Sequence, residues 1–237
     1  MTILQKRVAE GMRSKSKDKN KRWTNLGLWQ TDAADEDYNA ACESLARKLA
    51  EAAKLGEGDA VLASGCGRGD ELTLYKDEFC VQSVLGVDPD PDAAATFSPK
   101  RKDVELLCKT ASEAAATCGH EKFTKVVALD NVYHYPSKES FFADAYHLLA
   151  GGGRLAVTNI LSRTEKKPPL WIVMMLRFMG IPPPNLWSED DYERGLAAAG
   201  FVNIKLERVG DRVLKRWLPS FVRMHIDYAI ISGDRPH

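Results

Sequence analysis

The chain has 237 residues, 44% hydrophobic and 28% charged, and its 33 Lys and Arg balance its 33 Asp and Glu. That length suits one domain with a self-sufficient core, which excludes disordered, collagenous and coiled-coil classes for the whole chain. Zero formal charge argues against a dedicated nucleic-acid binder, which carries a basic excess.

Residues 1–22 hold eight Lys or Arg between Lys6 and Arg22, against only Glu10 and Asp18. They read as a basic, solvated N-terminal arm rather than a membrane or RNA contact. The arm lacks the apolar core of a secretory signal. The five cysteines, Cys42, Cys66, Cys80, Cys108 and Cys118, are odd in number and never at CxxC spacing. A reducing compartment and no metal site are expected, with the cytoplasm as the location and a processed organelle-targeting segment left open.

Residues 23–237 read as a single domain. Ala41, Leu45, Leu49 and Ala52 share one face of a helix over 38–55, which Gly56 stops. A strand at 60–63 runs into a glycine-rich loop and a helix at 70–77. Then come a strand at 83–87, a helix at 92–97, a strand at 104–107 and a helix at 111–118. A strand at 125–129, a helix at 137–149, a Gly151-Gly152-Gly153 turn and a strand at 154–159 complete the alternation. Ser188 caps a helix to about residue 199, with acids at its positive N-terminal end. Strands at 202–208 and 226–232 follow. Such alternation predicts an α/β, Rossmann-like, doubly wound sheet of seven mostly parallel strands, the final one antiparallel. Such sheets bind ligands at the carboxyl ends of their strands.

Those ends carry the chemistry. VLASGCGRG at 61–69 places glycines where a backbone must turn sharply and let a ligand approach. About 20 residues on, Asp88 ends the second strand, where a carboxylate can accept both hydroxyls of a ribose. The alternative readings are a tight turn and an ordinary Asp-Pro turn at Asp88-Pro89. A dinucleotide GxGxxG would need a third glycine where Asp70 stands.

These motifs resemble those of class I S-adenosylmethionine-dependent methyltransferases, whose first motif is usually written hhDxGCGxG. The segment ALDNVYHYPSKESFFADAYHLLAGGGRLAVTNI at 128–160 resembles their fourth strand, fourth helix, Gly-Gly turn and fifth strand. NLGLW at 25–29 and the helix after it look like the subgroup acting on tocopherols, quinones, macrolides, sugars and small amines. The resemblance implies S-adenosylmethionine as cofactor, with Ser64, Gly65, Cys66, Gly67, Asp88, Pro89, Asp130 and Asn131 near it. It implies a small acceptor, apolar or amphiphilic, with an oxygen, nitrogen or carbon nucleophile. The sequence leaves monomer and homodimer open.

Within that resemblance, Trp29 and Tyr38 would roof the pocket, or simply pack in the core. His134 is the candidate general base, since an imidazole titrates near neutrality. Tyr133 joins it at the catalytic position, and Tyr135 would line the acceptor side, because aromatic faces attract a sulfonium. The proline-bounded run LWIVMMLRFMGI at 170–181 is too short to span a membrane. It lies in an insertion at about 161–187 that reads as a lid, with Trp171, Met175 and Trp187 lining an apolar pocket. Core packing and a peripheral membrane contact are the other readings of this run. One departure counts against catalysis: the acid of the first motif is Ala63. The alternative is therefore a cofactor-binding homologue that is non-catalytic or uses S-adenosylmethionine for another reaction.

Overall fold

The computed structural model describes residues 23–30, 36–97, 103–165 and 168–237, so the basic arm at 1–22 lies outside the described residues. The strands are β1 (Ala60–Ser64), β2 (Ser83–Asp88), β3 (Val104–Cys108), β4 (Phe123–Ala128), β5 (Leu149–Ser162), β6 (Val202–Arg208) and β7 (Ile226–Asp234). The helices are α1 (Tyr38–Ala53), α2 (Asp70–Glu78), α3 (Pro91–Thr96), α4 (Ala111–Cys118), α5 (Lys138–Leu148), α6 (Leu170–Phe178), α7 (Glu189–Ala198), α8 (Gly210–Val213) and α9 (Ser220–Arg223).

The strands form one sheet in the order β3-β2-β1-β4-β5-β7-β6. The first five are parallel, and β7 runs antiparallel to both β5 and β6. The chain winds outward from β1 to β3, then returns to place β4 on the other side of β1. The carboxyl ends of β1 and β4 therefore flank the switch point, where no crossover helix blocks access.

Side-chain alternation along β5 divides the core. Ala156 and Ile160 join a cluster with Leu45, Leu72, Ile172, Val213 and Val222, from α1, α2, α6, α8 and α9. Leu155, Val157 and Leu161 join Ala114, Phe142 and Leu196, from α4, α5 and α7. Period-two alternation thus assigns helices to both faces of the sheet.

Two local expectations change. The first helix ends at Lys54, not Gly56: Lys54 takes a left-handed φ of 55°, and its N–H reaches back to the carbonyls of Ala50 and Glu51. The three glycines at 151–153 do not form a turn before the strand. They lie inside β5, where the pairing shifts between Phe123 and Lys125 and Gly152 has φ 76°. An interruption of this kind absorbs extra residues in one strand, and glycine supplies the backbone angle it needs.

Candidate active site

The β1–α2 loop takes a backbone path that glycine alone allows. Gly65, Gly67 and Gly69 have φ of 67°, 54° and 81°. A Cβ on Gly65 would lie 2.5 Å from Asn131 Nδ2 and 2.9 Å from the Tyr135 hydroxyl, so only glycine fits. The N–H groups of Gly65 and Cys66 donate to the Val87 carbonyl at 2.7 and 3.3 Å. Asp88 braces the same turn: its carboxylate accepts from the N–H of Gly67 at 2.8 Å and of Asp90 at 2.9 Å. Each oxygen keeps a second lone pair for a hydroxyl. Cys66 packs beneath the loop against Gly86, and burial pushes its thiol well up, which suits a packing residue.

Across this loop lies the strap at residues 23–30. Its turn is fixed by the Asn25 side chain, which accepts from the Gly27 N–H at 2.9 Å and donates to the Cys42 carbonyl at 3.3 Å. The Tyr38 hydroxyl donates to the Asn25 carbonyl at 2.8 Å. Trp29 and Trp217 both donate from their indoles to the Leu26 carbonyl, at 3.0 and 2.9 Å. The Arg216 guanidinium lies 4.0 Å from the centre of the Trp29 ring. Trp29 and Tyr38 are buried and hold the strap in place.

The strap is tied to the sheet through Asp130. One carboxylate oxygen accepts from the Leu26 N–H at 2.7 Å. The other accepts from the hydroxyls of Tyr133 at 2.7 Å and Tyr228 at 2.6 Å. Thr158 accepts from the Asp130 N–H at 2.7 Å. Burial raises the Asp130 carboxyl, and the Tyr228, Tyr133 and Leu26 donors pull it back toward the ionised form. Asp130, expected near the cofactor, is thus turned into the protein. Tyr133, expected at the catalytic position, spends its hydroxyl on the same carboxylate.

Between loop and strap lies a cleft of about 290 Å³ lined by Trp23, Thr24, Asn25, Gly65, Cys66, Arg68, Asp70, Glu71 and Leu129. Among the described residues, Glu71 Oε1 and Trp23 Nε1 are buried with no hydrogen-bond partner, and so is Asn131 Oδ1 beside the loop. The Asn131 amide donates to the carbonyls of Ser64, Gly65 and Leu129 at 2.7, 3.0 and 3.2 Å, which fixes its orientation. Buried polar groups are nearly always paired, so an acceptor and a donor left over in one cleft point to a ligand of mixed polarity.

His134 sits in a short turn after β4, its Nδ1 2.9 Å from the Gly180 carbonyl at the end of the 170–181 run. That contact makes Nδ1 the donor, so Nε2 carries the lone pair. Burial lowers its proton affinity, partly offset by the Gly180 carbonyl. The Tyr135 hydroxyl meets Ser64 Oγ at 2.8 Å, its ring edge-on to Phe141. In α6, Ile172 and Leu176 face inward and Met175 is partly covered. Leu170, Met174 and Phe178 are more than half exposed, as are Phe221 on α9 and Met224 just after it. Trp171 contacts Phe221 and His225.

Trp187 does not join this group. Its ring packs on Phe142 and Tyr192 and against Gly195, on the opposite face of the sheet, with Lys138 Nζ 5.3 Å from its centre. Conversely, Glu71, Tyr228 and Trp217 belong to the site region and escaped sequence reasoning. Only Glu71 left a signal: an acid two residues past the glycine loop.

A family model described as a methyltransferase domain matches residues 35–206. The chain is 31% identical over 212 residues to the erythromycin 3''-O-methyltransferase of Saccharopolyspora erythraea, covering 85% of this chain and 69% of that protein. In structure it is similar to the geranyl diphosphate C-methyltransferase of Streptomyces coelicolor, solved with S-adenosyl-L-homocysteine. That likeness has a TM-score of 0.78 at 15% identity and covers 99% of this chain and 98% of that one. The [4+2]-cyclase SpnF shares the fold with a TM-score of 0.71 at 18% identity, over 90% of this chain and 88% of that one.

Proposed function

This chain belongs to the class I S-adenosylmethionine-dependent methyltransferases that act on small molecules, and we propose that its acceptor is a hydroxyl on an apolar or amphiphilic molecule. The cofactor supplies a methyl group on a sulfonium already activated for displacement. The described residues fit it. Gly67 leaves room for close approach, a Cβ there meeting nothing nearer than Thr24 Oγ1 at 3.7 Å, and Asp88 offers lone pairs to ribose hydroxyls.

One observation carries the acceptor reading. The loop holding His134 is joined, through the Gly180 carbonyl, to an apolar helix beyond β5. Of the insertion at about 161–187, we assign residues 168–186 as a lid in which Trp171 and Met175 help enclose the acceptor. The named relative's O-methylation supports oxygen as the nucleophile. His134 takes the proton that a hydroxyl must lose, while the strap and lid keep water out and align nucleophile, carbon and sulfur.

Titration calorimetry with S-adenosylmethionine and S-adenosylhomocysteine tests the cofactor site. Asp88→Ala is expected to weaken both by about 10- to 100-fold, the worth of charge-assisted bonds to hydroxyls. Undiminished binding in the variant removes Asp88 from the site. Turnover on hydroxylated macrolides, phenols and quinols then tests the acceptor class. Ala63 and the likeness to SpnF favour a second reading, cofactor use without methyl transfer. Tight cofactor binding with no methylated product across such a panel would select it.

The exposed apolar side chains of α6 and α9 are flanked by Arg177 and Arg223. Among the described residues no helix is long and apolar enough to cross a membrane. We take this face as a peripheral contact through which a lipophilic acceptor enters. Co-sedimentation with anionic vesicles is expected and should weaken with salt. Failure to pellet at low salt discards the contact, and a concentration-dependent dimer by light scattering would assign the face to a second copy.

A further inference from the structure

Glu71 is a buried acid that the reading so far does not use. It stands in the first turn of α2 and is 5% exposed. Its Oε1 has no hydrogen-bond partner among the described residues, and no described Lys or Arg forms an ion pair with it. Its charged neighbours are of the wrong sign: burial first, then Asp88 on β2 and Asp70 on the same helix, push its carboxyl well above the usual range. A lone buried carboxylate is costly, and folded chains seldom keep one without a use. Glu71 lines the cleft together with Trp23, whose indole N–H is a buried donor lacking a partner among the described residues. An acceptor that needs a positive charge and a donor that needs an acceptor share one pocket. An α-amino acid end presents both, an ammonium and a carboxylate.

We propose that Glu71 receives the ammonium of the methionine part of S-adenosylmethionine, and so stands in for the carboxylate missing at Ala63. Trp23 Nε1 then donates to the carboxylate of the same end. The proposal rests on the cleft being the S-adenosylmethionine site. It explains why Ala63 is tolerated: the acid sits on the helix after the loop instead of on the strand before it.

The test compares three ligands by titration calorimetry on the wild-type protein and on Glu71→Gln, which is nearly isosteric and removes only the charge. S-adenosylmethionine and S-adenosylhomocysteine carry the amino acid end, and 5′-methylthioadenosine lacks it. The variant should bind the first two about 10- to 100-fold more weakly. It should bind 5′-methylthioadenosine as the wild type does, which also proves that it is folded. Without ligand, its melting temperature should match or exceed that of the wild type, since the buried acid and the cost of ionising it there are gone. Equal losses for all three ligands would overturn the proposal by moving the contact off the ammonium. Unchanged binding of S-adenosylmethionine would overturn it by showing that Glu71 touches nothing on the ligand. Failure of the wild type to bind any of the three would instead strike the functional reading beneath it.

Discussion

Replacing His134 by Ala should lower kcat about 100- to 10,000-fold while leaving the affinity for S-adenosylmethionine unchanged, the range typical of a lost general base. The argument runs from the ring's surroundings. Gly180 accepts from Nδ1, which fixes the tautomer with its lone pair on Nε2. Burial depresses the pKa, so the ring is neutral and able to take a proton at pH 7. Activity should therefore fall as the pH drops through that depressed pKa, and Ala should abolish this acidic limb of the kcat/KM profile. A variant with full turnover, or one that keeps the limb, eliminates His134 as the base.

Asp130→Ala is expected to destabilise the fold by about 3–5 kcal/mol, the usual cost of breaking a buried network around a charge. The Leu26 N–H and the hydroxyls of Tyr133 and Tyr228 would lose their shared acceptor at once. All three lie where water cannot easily replace the carboxylate, so each keeps its desolvation penalty. For a chain of this size the melting temperature should fall by about 10 °C. The strap should loosen first, seen as faster hydrogen exchange at residues 23–30. A loss below about 1 kcal/mol would show that the three donors find other acceptors and that the carboxylate is not the anchor.

Much of this architecture can be read from local pattern. The apolar periods of α1, α5 and α7 and the short apolar strands lie within contiguous segments, so alternation of helix and strand is visible before any folding. The glycine loop and Asp88 are legible for the same reason: their chemistry depends on backbone shape within a few residues. What is not legible depends on partners distant in sequence. Tyr228 meets Asp130 across 98 positions, and Trp217 meets Leu26 across 191. No spacing rule connects such pairs. Trp187 followed the prolines into the expected lid, yet the burial demands of Phe142 and Tyr192 draw it to the other side of the sheet. Asp130 looked like a ligand contact because of its place after β4. Two tyrosines and a backbone N–H claim it instead.

The strand order also constrains how the molecule is made. β7 is the last strand in chain order, yet it lies inside the sheet, between β5 and β6. Until it emerges from the ribosome, β5 presents a bare edge and β6 has no neighbour to pair with. The guanidinium of Arg154 on β5 likewise waits for Ser232 and Asp234 on β7. Completion of the sheet therefore waits for β7, and a nascent chain exposes an unpaired β5 until β7 has been made. During that interval the open edge of β5 is free to pair with a strand of another chain.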